Sequence, residues 1–159
     1  MGDANTSYIC ESALEYLVGA GDISSTSVWV ALVGTSFDGD PEEVNVGDIG
    51  TLDELLCTNY NPGGHGSDER RVTDITISTD TGNDRIKVDG VDPATWSSLG
   101  GTTNDRVAGI LVHFKGTSDD SDARQICYIS LTCTDTNGSD FTVQWGANGI
   151  FMITRKAGS

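Results

Sequence analysis

Short apolar segments separated by turn signals fill the second half of the chain. Arg106–Lys115 and Arg124–Thr134 are mostly apolar or β-branched, and turn signals such as Asn137-Gly138 recur about every 10 to 15 residues. Runs this short and this regularly interrupted are typical of strands rather than of helices. The pattern therefore predicts antiparallel strands joined by turns.

Five further segments are predicted as strands from their apolar or alternating residues. They are Val28–Val33, Val72–Ile77, Ile86–Val88, Phe141–Trp145 and Ile150–Thr154. Val28–Val33 is apolar on both faces, as expected for a strand that is buried on both sides. It is also the longest apolar run, far short of the roughly 20 residues that a membrane helix needs, so no transmembrane segment is expected.

Two segments in the first half have helical spacing instead. Tyr8–Gly19 carries apolar residues three and four apart after Ser7, a plausible N-cap, and Thr51–Thr58 combines a leucine stripe with a Thr51/Glu54 capping box. The expected fold is mainly β, an antiparallel β-sandwich or barrel with these two short peripheral helices. It forms one domain over residues 1–159, with residues 1–9 as a flexible or contact-making N-terminal arm.

Composition and charge restrict the partners. The chain has 159 residues, of which 36% are hydrophobic and 20 are glycine, and its 24 acidic residues against 9 basic ones give a net charge of −15. Arg70 and Arg71 directly follow the acidic Asp68 and Glu69. Because nucleic acids and anionic membranes attract clustered Lys and Arg, we expect neither as a partner.

The four cysteines do not have the spacing of a zinc site. Cys127 and Cys133 share parity with Ile129 and Leu131, so all four are predicted to face the core, with the two cysteine Cα atoms roughly 20 Å apart, too far for a disulfide. Four reduced cysteines that act as small apolar residues are the favoured interpretation. A Cys10–Cys57 bridge between the two helices is the alternative.

No catalytic constellation is evident. His113 lies within an apolar strand and is interpreted as a structural, hydrogen-bonded histidine, whereas His65 lies in a glycine-rich loop and is expected to be exposed. Two acidic clusters do not match a calcium-binding loop; they are Asp38, Asp40 and Glu42, and Asp119, Asp120 and Asp122. The sequence therefore predicts no enzyme, with no catalytic residue, no cofactor and no metal site.

The order of segments resembles that of small virion structural proteins of tailed bacteriophages. The likeness covers about Tyr8 to Ile153. It is carried by Asp22–Val33, Thr51–Leu56, Arg71-Val72, Val88–Leu99, Val107–Lys115 and Asp140–Phe151. The chain departs from the family in the acidic stretch Asp38–Asp48 and in the Pro62–Gly66 insertion.

The resemblance implies a non-catalytic capsid decoration or cement protein on the outer surface of the virion, assembled in the host cytoplasm. Its partners would be the major capsid protein and further copies of itself, as a homotrimer or homodimer. Contact residues are expected in the loops Gly34–Gly50 and Asn59–Ser67. A tail or fibre component is the first alternative. A carbohydrate-binding β-sandwich is the second, with Trp96 as its candidate exposed aromatic residue.

Overall fold

A computed structural model describes residues 8–9, 28–37, 53–60, 69–83, 85–114 and 123–154. These residues form ten strands. They are β1 (Tyr8–Ile9), β2 (Val28–Val33), β3 (Arg70–Arg71), β4 (Thr73–Asp80), β5 (Arg85–Val91), β6 (Trp96–Leu99), β7 (Arg106–Phe114), β8 (Arg124–Asp135), β9 (Ser139–Phe141) and β10 (Phe151–Thr154). The prediction of a mainly β protein is confirmed.

The strands are arranged in three antiparallel sheets. The largest has the order β1-β8-β7-β2-β3, the second has the order β10-β5-β4, and β6 pairs with β9 in the third. Each of these sheets has two ends, so the described strands do not close into the predicted barrel.

Strand β2 lies inside the largest sheet and is buried on both faces, as its sequence predicts. Val30 packs in the main core, whereas Ala31, on the opposite face, packs with Leu111 in a second cluster that includes Phe37. The main core also draws on the other two sheets, through Trp96 and through several residues of the second sheet and its flanks, among them Ile75, Ile150 and Phe151.

The helix predicted over Thr51–Thr58 is wrong for the residues that the structure describes there. Asp53 has a positive φ of 43°, which interrupts any helix. Its carbonyl accepts a hydrogen bond from the Gly34 amide at 2.7 Å, and the Leu55 amide donates to the Leu32 carbonyl at 3.3 Å. Long-range bonds to the β2 segment have replaced the local bonds of a helix.

The helix predicted over Tyr8–Gly19 also fails at its start. Tyr8 and Ile9 form β1 and pair with Tyr128 and Cys127 of β8. The remainder of that segment lies outside the described residues.

Two predictions about the end of the chain are corrected as well. The chain bends at Gly138, but the hairpin predicted at Asn137-Gly138 is wrong: β9 pairs with β6 instead of returning along β8, and the Gly138 amide donates to the Leu99 carbonyl at 2.8 Å. The strand predicted over Phe141–Trp145 is strand only at Phe141.

Cys133 does not face the core. Cys127 is buried, whereas Cys133 is exposed. The register of β8 against β7 shifts between the pairs Val107–Thr134 and Gly109–Ser130, so β8 has extra residues at this point, and Thr132–Asp135 are all exposed. Counting by twos along the sequence cannot detect such a bulge.

Candidate functional site

An apolar groove of about 740 Å³ lies beside β8 and β10. Its walls include five apolar side chains that pack against the core but remain partly exposed: Ile129, Leu131, Phe141, Trp145 and Phe151. Apolar side chains that line a concave surface of this size are typical of binding sites.

The segment before β10 is held in place by the end of β5. The Trp145 amide donates to the Asp92 carboxylate at 2.8 Å, and the Trp145 indole nitrogen is 3.4 Å from the Val91 carbonyl. Gly149 then turns the chain with a φ of 74°, and the Ile150 amide donates to the Val88 carbonyl at 2.9 Å. These bonds explain why Trp145 lines the groove instead of continuing a strand.

The second sheet carries apolar residues beyond the core. Val88 is buried at the centre of this sheet and pairs with Ile77 on one side and Phe151 on the other. Because side chains alternate along a strand, Ile86 and Ile153 lie on the same face of the sheet as Val88 and Ile77. Unlike Val88, Ile77 is 55% exposed and Ile86 is 41% exposed. We call Ile77, Ile86 and Ile153 the overhang face, because they continue an apolar face past the core.

The opposite face of this sheet is charged and paired. Arg85 Nε lies 2.8 Å from Asp80, and Lys87 Nζ lies 2.7 Å from Asp89. A hydrogen bond from Asn83, followed by one from Arg85, lowers the pKa of Asp80. A hydrogen bond from Lys87 lowers the pKa of Asp89. One face of this sheet is therefore polar and charged, whereas the other face carries exposed apolar side chains.

A buried tyrosine connects the irregular segment 53–60 to β2. The Tyr60 hydroxyl donates to Glu54 Oε1 at 2.9 Å and accepts from the Leu32 amide at 3.1 Å. Burial, followed by the nearby Glu54 carboxylate, raises the pKa of Tyr60 well above its ordinary value. Glu54, predicted as half of a capping box, instead accepts this hydrogen bond.

A second buried polar pair lies on the largest sheet. His113 is fully buried, and its Nε2 lies 3.0 Å from Oε1 of Glu69, whose side chain is 3% exposed. Neither ring nitrogen makes an aligned hydrogen bond with a described atom, so the hydrogen bond predicted for this histidine is not found there. The residue occupies the core position predicted for a structural histidine.

Trp96 is not the exposed aromatic residue that sugar binding would need. Trp96 is fully buried. The Phe141 ring is edge-on to it with 6.1 Å between the ring centres, and the Arg70 guanidinium lies 5.2 Å from the centre of the Trp96 ring. Cys57 and Cys127 are buried. The Cys10–Cys57 bridge stays a prediction, because Cys10 lies outside the described residues.

Several other candidates lie outside the described residues. They are Cys10, His65, both acidic clusters and the greater part of the two long loops. Over the ranges that are described, no group of three or more His, Cys, Asp or Glu side chains could hold a metal ion. The same ranges contain no helix that is long and apolar enough to cross a membrane.

Sequence reasoning missed the groove, the overhang face and the roles of Glu54 and Glu69. Ile77 and Ile86 gave the one available signal, because they alternate in short strands that also contain a buried valine. Comparison with protein-family models, with curated proteins and with solved structures finds no match. A functional proposal for this chain therefore depends on its surface and its charge.

Proposed function

We propose that this chain is a non-enzymatic structural protein of a tailed-bacteriophage particle, a decoration or cement protein that binds the outer capsid surface and stabilises the shell. The observation that carries the proposal is the overhang face. Exposed apolar side chains that continue a core face are suited to burial against another protein.

The shape of the molecule supports this proposal. We infer that the largest sheet and the second sheet face each other as a sandwich, because the main core includes Val30 and Val112 from one and Ile75 and Phe151 from the other. A scaffold of this kind would hold the overhang face and the connecting loops in fixed positions. The loops Gly34–Gly50 and Asn59–Ser67 are proposed to add contacts with the major capsid protein.

The charge of −15 favours a basic partner surface or an environment with enough salt to screen repulsion. It disfavours nucleic acid. The proposed partners are the major capsid protein and further copies of this chain, as a homodimer or homotrimer.

Purified particles provide the test. Quantitative mass spectrometry should find this chain in many copies, at a fixed ratio to the major capsid protein. Ile77→Lys should reduce its amount on the particles, because it places a charge within the buried contact. Thr76→Lys, on the other face of the same exposed strand, should not. Absence from the particles would refute the proposal.

A tail or fibre component is the second candidate, because an apolar overhang fits a contact between tail subunits equally well. A low copy number per particle would favour it. The carbohydrate-binding alternative has lost its candidate residue, since Trp96 is buried.

A further inference from the structure

Within the part of the chain that the structure describes, one edge of strand β10 is unpaired. Among the described residues the strand pairs on one side only, with β5, and no described strand lies along its other side. An edge strand presents unpaired amide and carbonyl groups, which pair readily with another strand.

The two edges of the second sheet differ in their protection. At the far edge, β4 has a register irregularity between Thr73 and Thr76, Asp74 has a positive φ of 52°, and the strand ends on Asp80. Bulges and charges of this kind are what proteins use to prevent strand addition. Strand β10 reads Phe-Met-Ile-Thr, with no charge and no proline, and its register against β5 is continuous.

The charges next to β10 in the sequence and in the fold favour antiparallel pairing with a copy of itself. Arg155 and Lys156 follow the strand in sequence. Asp89 and Asp92 flank the turn that leads into it, since a side chain on Gly149 would lie 3.2 Å from the Asp89 Cβ and Asp92 holds the Trp145 amide. Antiparallel pairing would bring the basic end of one strand beside the acidic end of the other.

The groove provides space for the partner's side chains. A twofold axis perpendicular to the sheet keeps each residue on its own face, so Phe151 and Ile153 of a second copy would lie on the groove side. There they would meet partly exposed side chains, among them Ile129 and Trp145.

We propose that two copies of this chain pair their β10 strands antiparallel, which joins two three-stranded sheets into one six-stranded sheet and buries the apolar groove. This inference rests on the self-association included in the proposed function and specifies its surface and symmetry. It is independent of whether the chain binds a capsid. Its test uses the purified full chain without particles.

Sedimentation velocity of the purified chain in moderate salt should show a mass of two chains. Hydrogen exchange followed by mass spectrometry should show that protection of residues 151–154 increases with protein concentration. Ile153→Lys should give a folded monomer, because it places a charge at the pairing edge. Thr79→Lys, which places the same charge on the same face at the protected edge but outside the overhang face, should remain a dimer.

A monomer at every soluble concentration would overturn the proposal, as would a dimer in which β10 gains no protection. If circular dichroism shows that Ile153→Lys does not fold, Met152→Lys on the opposite face of the strand takes its place. The exchange measurement on the unmodified chain decides the question without any variant. A β10 dimer that is absent from particles would refute the capsid role alone.

Discussion

His113 Nε2 and Glu69 Oε1 lie 3.0 Å apart inside the protein, in a pair whose two side chains are 0% and 3% exposed. The same separation occurs at the surface between Arg106 Nε and Asp135 Oδ1, where the side chains are 55% and 75% exposed. The two contacts are equal in length but differ sharply in their access to water. A polar group that loses its partner in the core costs more than one that loses it in solvent, where water takes the partner's place.

Glu69→Ala should therefore lower the free energy of unfolding by about 1–3 kcal/mol, because the buried His113 ring loses its polar contact at Nε2. The control Asp135→Ala should lose only a small fraction of that, because water replaces the partner of Arg106. Urea unfolding curves of the two variants measure the difference. Equal losses would show that burial does not govern the energy of the Glu69 contact.

Gly109 should not tolerate a side chain. A Cβ at this position would lie within 2.6 Å of Tyr128 Cζ, and that ring is tilted against Phe37 at a centroid distance of 4.9 Å. Gly109→Ala should cost about 1–3 kcal/mol through overpacking. Gly146→Ala, where a Cβ meets nothing within 4 Å, should be neutral. Thermal melts of both variants test this, and a neutral Gly109→Ala would contradict the tight contact.

Tyr60 should make stability depend on alkaline pH. Its pKa is raised in the folded state, so the unfolded chain loses this proton first, near the ordinary value of 10.0. The contribution is fully present below that pH and is lost as pH increases towards the folded-state pKa. Tyr60→Phe should be less stable at neutral pH, because Glu54 loses a buried donor, by about 1–3 kcal/mol.

Above pH 10.0 the stability of Tyr60→Phe should decline less steeply than that of the unmodified chain. Urea unfolding at a series of pH values measures both slopes. Tyr128→Phe is the control, since the pKa of Tyr128 is also raised by burial but the residue is only partly buried. Parallel declines for the unmodified chain and Tyr60→Phe would exclude Tyr60 as the source.

The sequence predicts best those strands whose run of apolar residues is by itself enough to indicate a buried strand. Val28–Val33 and Arg106–Lys115 are apolar almost throughout. The first is a strand with the predicted bounds, and the second is a strand over Arg106–Phe114, with Lys115 outside the described residues. Leu52, Leu55 and Leu56 have helical spacing, but Leu55 bonds to the Leu32 carbonyl and Leu56 is 69% exposed. Local spacing carries no information about a carbonyl more than 20 residues away.

The groove and the unpaired edge of β10 could not be predicted for a related reason. Strand β9 follows β8 in the chain but pairs with β6, and β10 pairs with β5. Neither strand therefore pairs with β8. Which edges stay open depends on pairings between distant segments. The sequence shows only that Phe151–Thr154 is an apolar strand without a charge.

Particles that lack this chain should assemble normally and release their DNA at a lower temperature than complete particles. A protein that bridges capsid subunits adds interface across seams that would otherwise open first, and binding to the closed shell stabilises that state. DNA release on heating can be followed with a fluorescent dye that is excluded from intact particles. Adding back the purified chain should restore the original release temperature, whereas Ile77→Lys should restore less because its overhang face carries a charge. Release at an unchanged temperature from particles that lack the chain would rule out a cementing role and favour the tail or fibre alternative.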